Sequence, residues 1–149
     1  MDRFMQAAVA EAEAGLAEGG IPIGSVLVHS GKIIGRGRNR RMQDGSVIRH
    51  GEMDALERAG RLPANVYRES VLYTTLSPCP MCSGAILLYG IPRLIIGENR
   101  TFMGEEHLLT TRGVVVTVLD DPRCKALMDT FIAAHPADWN EDIGEEVLS

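Results

Sequence analysis

The stretch SVLYTTLSPCPMCSGAILLYGIPRLIIG (residues 70–97) decides the fold. Residues 70–75 mix apolar and β-branched side chains and read as a strand, closed by a short turn at 76–78. Pro80 suits the first turn of a helix, where its missing N–H leaves no bond unmade, and residues 81–89 continue that helix. Residues 93–97 return to a short apolar strand. A strand running into a helix and back into a strand is the building unit of an α/β sheet protein. The junction before Pro80 is also the kind of place where such folds put their sites.

Working outward, residues 2–18 read as a helix with Met5, Ala8, Val9, Ala12 and Leu16 on one face, ended by Gly19-Gly20. Two β-rich stretches, 24–29 and 32–38, are joined by Ser30-Gly31 and read as a hairpin. Residues 39–49 are polar and turn-rich and are expected to form a surface loop. Residues 50–59 read as a helix ending near Gly60. Beyond residue 97, 114–119 are compatible with a further buried strand. Residues 121–134 form the last long helix, with Pro122 near its start and Pro136 beyond its end. The order αββαβαβ(α)βα implies a three-layer α/β/α fold, a mixed five-stranded sheet flanked by helices. No repeat or linker interrupts it, so residues 1–149 are expected to be one domain.

At 149 residues the chain is long enough for one hydrophobic core. Its formal net charge of −5 argues against a nucleic-acid partner, which normally demands a basic face. No apolar run is long enough to span a bilayer, and the N-terminal helix is amphipathic and acidic, so a cytoplasmic protein is expected. Three cysteines, two of them as Cys-x-x-Cys, suit a reducing compartment and a metal or redox site.

Cys79 and Cys82 fall three apart at a helix start, so both sulfurs reach one side of a single turn. That spacing suits a tetrahedral ion, and a helix N-terminus favours the thiolate that binds it. His50 opens a second helix and supplies a third donor. Two sulfurs and an imidazole leave one tetrahedral position open, as in catalytic rather than structural zinc sites. Glu52, two residues beyond His50, is placed to carry protons without ligating the metal. A redox pair, a closed structural zinc clasp, and Glu52 as a mere helix-start carboxylate are the alternatives. Cys124 lies among apolar residues and is expected in the core, and His29, His107 and His135 on the surface or in turns.

His-x-Glu followed by Pro-Cys-x-x-Cys is the pattern of zinc deaminases acting on nucleobases. The chain resembles the fungal type of cytosine deaminase, within the zinc-dependent cytidine and deoxycytidylate deaminase superfamily. The resemblance runs from about Met5 to Glu146 through GGIPIGSVL, RGRN, HGEMDALERAGRL, VLYTTLSPCPMCSGAILLYGIPR, GEN, TRG, DDPRCK and DWNEDIGE. It implies hydrolysis of a free base, cytosine to uracil plus ammonia, in pyrimidine salvage by a homodimer. Zinc would be held by His50, Cys79 and Cys82, with Glu52 as the proton shuttle. Asn39 would bond the ring carbonyl and its neighbouring NH, and the Gly51 N–H would add a second donor. Asp142 would read the amino group. Phe102 and Trp139 would stack on the ring, with Ile23 opposite, and residues 136–149 would act as a C-terminal lid.

Two departures bear on substrate choice. The loop after Phe102 is about one residue shorter than the fungal pattern, and Asn140 replaces an aromatic. Arginines 36, 38, 40, 41 and 49 cluster near Asn39 and read as a solvated loop face. Guanine or a related base, or adenosine in tRNA, are the alternative substrates. A non-catalytic zinc-stabilised module is a third reading.

Overall fold

Alternation along the central strands sets the layers. In β1 (Gly24–His29), Val26 and Val28 point to one face of the sheet and Leu27 to the other. β3 (Ser70–Leu76) divides the same way, with Tyr73 on the first face and Leu72 on the second. The computed structural model describes residues 2–145. The first face is covered by α1 (Arg3–Ala17), through Met5, Ala8 and Val9, and by α7 (Pro122–Ala134), through Cys124. The second face is covered by α3 (Gly51–Ala59) and α5 (Pro80–Tyr89), with Leu56 and Ile86 packed against Leu27, Leu72, Leu94 and Ile96.

β1 pairs antiparallel with both β2 (Lys32–Arg38) and β3. β3 then pairs parallel with β4 (Arg93–Glu98), and β4 with β5 (Val115–Val118). The strand order is β2-β1-β3-β4-β5, a mixed five-stranded sheet between helices, as the sequence implied. The hairpin turn is at Ser30-Gly31, both with positive φ, which is the geometry that matches strand twist.

Three expectations need correcting, and one short helix was not foreseen. The segment 39–49 is not all loop: one helical turn, α2 (Arg41–Asp44), follows Asn39. A second short helix, α4 (Ala64–Arg68), precedes β3; Pro63 starts it, and Tyr67 anchors it by donating to the Gly60 carbonyl at 2.6 Å. β5 is not buried. It is the open edge of the sheet, and Val115 is 57% exposed. Within the acidic tail, Pro136 does not merely end α7; it opens α8 (Pro136–Asp142), whose Trp139 packs on Ile21, Leu76 and Phe131. The remaining helix, α6 (Glu106–Thr111), fills the optional place before β5. No helix among the described residues is long and apolar enough to cross a membrane.

Candidate metal centre and active site

Two helix starts face one another at the carboxyl end of β3. His50 is the N-cap of α3, and Cys79 is the N-cap of α5 with Pro80 in the first turn. Cys79 Sγ accepts from the Cys82 N–H at 3.5 Å, so the sulfur takes the part that a capping oxygen normally plays. His50 Nδ1 lies 3.4 Å from Cys79 Sγ and 3.8 Å from Cys82 Sγ. The three donor atoms lie within 4.8 Å of one another, a spread one ion can gather.

The charges fit a cation. A hydrogen bond with Cys82 and, against burial, one with His50 bring the Cys79 thiol down to about 4. The same bond and burial push Cys82 well up. Burial disfavours charge on the His50 ring, but Asp142 and Cys79 outweigh it and raise the ring to about 10. A donor set that holds protons between a thiolate and a carboxylate will exchange them for a divalent ion. His50 Nε2 meets Asp142 Oδ1 at 3.1 Å, the outer carboxylate that orients a metal-binding histidine.

Glu52 lies one helical step inside α3 and is 4% exposed. Burial, followed by the nearby Cys79 charge, raises its carboxyl to about 7. It does not join the three-donor cluster. A carboxyl poised near neutrality therefore stands beside the candidate metal site rather than within it.

Glu52, His50 and Cys79 line a small cavity with Ile23, Phe102, Trp139 and Asp142. Phe102 and Trp139 meet edge to face, with ring centroids 6.3 Å apart. The cavity volume is about 20 Å³, room for about one water. Asn39 and Gly51 stand behind this lining. Asn39 is fully buried, donates from Nδ2 to Asp142 at 3.3 Å, and accepts the Arg41 N–H at 2.9 Å. Gly51 packs on Ile23.

Cavity residues that the sequence did not single out are Leu76, Ser77 and Ile143. Ser77 Oγ donates to Glu106 at 2.6 Å and accepts from the Gly104 N–H at 2.9 Å, which ties down the loop after Phe102. The arginine cluster is in part a solvated face, with Arg36 48% and Arg49 35% exposed, but its members are also paired. Arg36 and Arg38 pair with Glu11, Arg40 and Arg49 with Asp54, and Arg41 with Glu141. Cys124 is buried as expected, at 1% exposure, and His107 and His135 are exposed; His29 is partly covered beside Glu69. Of the proposed lid, residues 146–149 lie outside the described residues.

Known proteins resemble the chain in sequence and in fold. The chain is 54% identical to the cytosine deaminase of Candida albicans over 142 residues, covering 95% of each. It is 45% identical to a tRNA-specific adenosine deaminase of Streptococcus pyogenes, covering 86% of this chain and 87% of that one. A solved guanine deaminase from Nitrosomonas europaea superposes with a TM-score of 0.71 at 25% identity, covering 87% of this chain and 83% of that one. Residues 1–98, which carry His50, Glu52, Cys79 and Cys82, match the cytidine and deoxycytidylate deaminase zinc-binding region. By sequence, by fold and by this donor set, the chain belongs to that zinc-binding deaminase family.

Proposed function

We propose that the protein hydrolyses cytosine to uracil and ammonia. The observation that carries this is the pairing of a three-donor metal site with a buried, unligated Glu52 inside a cavity walled by Phe102 and Trp139. The 54% identity to a cytosine deaminase supports the choice of base.

His50, Cys79 and Cys82 would hold zinc, which would supply Lewis acidity there. Glu52 accepts a proton from the attacking water and delivers it to ring nitrogen 3. It then takes the remaining water proton from the oxygen now on the ring carbon and passes it to the amine, so that the C–N bond breaks, the carbonyl forms and ammonia leaves. Asp142 accepts from the amino group before it leaves. Asn39 and the Gly51 N–H bind the ring carbonyl, and Phe102, Trp139 and Ile23 hold the ring flat. Flat walls and a few buried polar groups are what selection of a small planar base requires.

The cavity has room for about one water, so a base enters only as its walls part, and α8 supplies two of those walls, Trp139 and Asp142. The described part of the C-terminal segment, residues 136–145, then acts as the lid that excludes water from the reaction. Unpaired Cys79, Cys82 and Cys124 support a reducing, cytoplasmic setting, and the reaction suits pyrimidine salvage. A homodimer is supported by exposed Leu88 and Tyr89 at the end of α5.

The tRNA deaminase likeness favours a second reading, adenosine within an RNA strand. A net charge of −5 and a cavity covered by an acidic helix count against it. Ammonia release from zinc-loaded protein, over cytosine, guanine, adenine, their nucleosides and tRNA, is the deciding test. Turnover of cytosine alone is expected; turnover of tRNA with none of cytosine refutes the proposal.

A further inference from the structure

Asp54 is fully buried on α3, yet it is neither a cavity residue nor a member of the metal cluster. Its Oδ2 accepts the backbone N–H of Arg38 at 3.0 Å and is met by Arg40 Nε at 3.3 Å and Arg58 Nε at 3.2 Å. Its Oδ1 accepts from Arg49 Nε at 2.7 Å. Arg38 and Arg40 are the two neighbours of Asn39, and Arg49 directly precedes His50. One carboxylate therefore grips the chain on both sides of Asn39 and just before the metal-binding histidine.

Close approach of β2 to α3 makes the grip possible. A Cβ on Gly37 would lie 2.4 Å from the Ala55 nitrogen and 2.7 Å from Asp54 Cβ, so no other residue fits there. The Arg40 N–H also donates to the Arg49 carbonyl at 2.9 Å, binding the two ends of the 39–49 segment together. Packing a helix on a strand does not need a carboxylate. Burying one costs desolvation that an apolar side chain of like size avoids. What Asp54 adds is direction: it fixes where the chain leaves β2, and so where the Asn39 amide points. That amide has one bond at each end, Oδ1 accepting from Arg41 and Nδ2 donating to Asp142, which leaves the second Nδ2 hydrogen for the base.

We propose that Asp54 is the positioning residue for Asn39, holding its amide toward Asp142 and the base through the backbone of Arg38 and the side chain of Arg40. The inference rests on the reading of Asn39 as a base contact given above.

Two arginines separate positioning from plain stability. Arg40 and Arg58 meet the same oxygen at nearly equal distance, but only Arg40 adjoins Asn39. The assay uses the zinc-loaded full chain and the base that releases ammonia fastest. Arg40→Gln and Asp54→Asn are expected to raise KM about tenfold or more, with zinc content kept and kcat less affected. Arg58→Gln is expected to lower Tm while KM stays within about twofold of the parent. If KM rises equally in Arg40→Gln and Arg58→Gln, or in neither, Asp54 is structural only and the inference is overturned. Asn39→Ala, measured alongside, separates the two layers of argument. Parental KM in Asn39→Ala sinks the base-contact reading and the inference with it; raised KM there but not in Arg40→Gln sinks the inference alone. Should Asp54→Asn not fold, the comparison of the two arginine variants decides.

Discussion

His50 and Asp142 face each other across 3.1 Å, with the histidine's other ring nitrogen turned to the sulfurs of Cys79 and Cys82. The C-terminal helix thus reaches the metal site through the outer edge of its histidine as well as covering the cavity. Asp142→Ala should therefore weaken zinc binding as well as turnover. Loss of such an outer carboxylate typically costs about 10–100-fold in metal affinity. Competition with a chelating dye measures it, and parental affinity would confine Asp142 to the substrate.

Glu52 is buried beside the site and outside the donor cluster. Glu52→Gln keeps the shape and removes the proton carrier. Folding and zinc content should be unchanged, and kcat should fall by at least about a hundredfold. Near-parental turnover would show that another group moves the protons.

The cysteines should divide by place. Cys79→Ala removes a donor and is expected to release the metal, as read by elemental analysis. Cys124 is equally a thiol, but it is packed between α7 and the sheet, and burial raises it to about 12. Cys124→Ala should keep zinc and cost about 1 kcal/mol of stability through the small cavity left behind. Zinc retained in Cys79→Ala would refute the donor assignment.

The site was more legible than its supports. His50, Cys79 and Cys82 were legible as one donor set because zinc takes imidazole and thiolate ligands and Cys-x-x-Cys spacing puts two of them on one turn; the structure brings the three within 4.8 Å. The strand–helix–strand unit at 70–97 was legible because its apolar periods are clean. α2 and α4 were not, since a single turn of helix has no period to read and is held by tertiary contacts, such as Tyr67 on Gly60. β5 misled because its valines look like core, whereas sheet order leaves them on an edge. The arginines misled in part, for the opposite reason. Charge reads as surface until the fold shows Asp54 and Glu11 buried beneath it.

That buried carboxylate predicts an acid limb. Burial alone would raise the Asp54 carboxyl, but the Arg38 N–H and Arg49, with charge from Arg58 and Arg40, hold it below the usual 3.8. A group depressed on folding stabilises fully above its unfolded value, and that stability drains away as pH falls through the folded value. The parent's Tm should therefore fall more steeply below about pH 4 than that of Asp54→Asn, which cannot titrate there. At neutral pH the substitution should cost about 1–3 kcal/mol, because the partly exposed arginines can return to water. Parallel Tm profiles across the acid range would show that the cage contributes nothing.

The end of α5 makes the last prediction. Leu88 is 74% exposed and Tyr89 45%, the latter against the Tyr67 ring at 5.2 Å. Beside them a groove is lined by Met53, Leu56, Leu62 and Tyr67. One leucine cannot hold two chains together, because stable interfaces bury about 1,200–2,000 Å² in total. Met53 also lines a second groove that holds Ile48, itself 60% exposed, so the apolar surface extends beyond the end of α5. Leu88→Glu places a charge where α5 would meet its copy, far from the donor cluster on the helix's first turn. Sedimentation should show the parent as two chains and the variant as one, with zinc content unchanged. A variant that still sediments as a dimer moves the interface elsewhere, and the exposed β5 edge would be the next face to test.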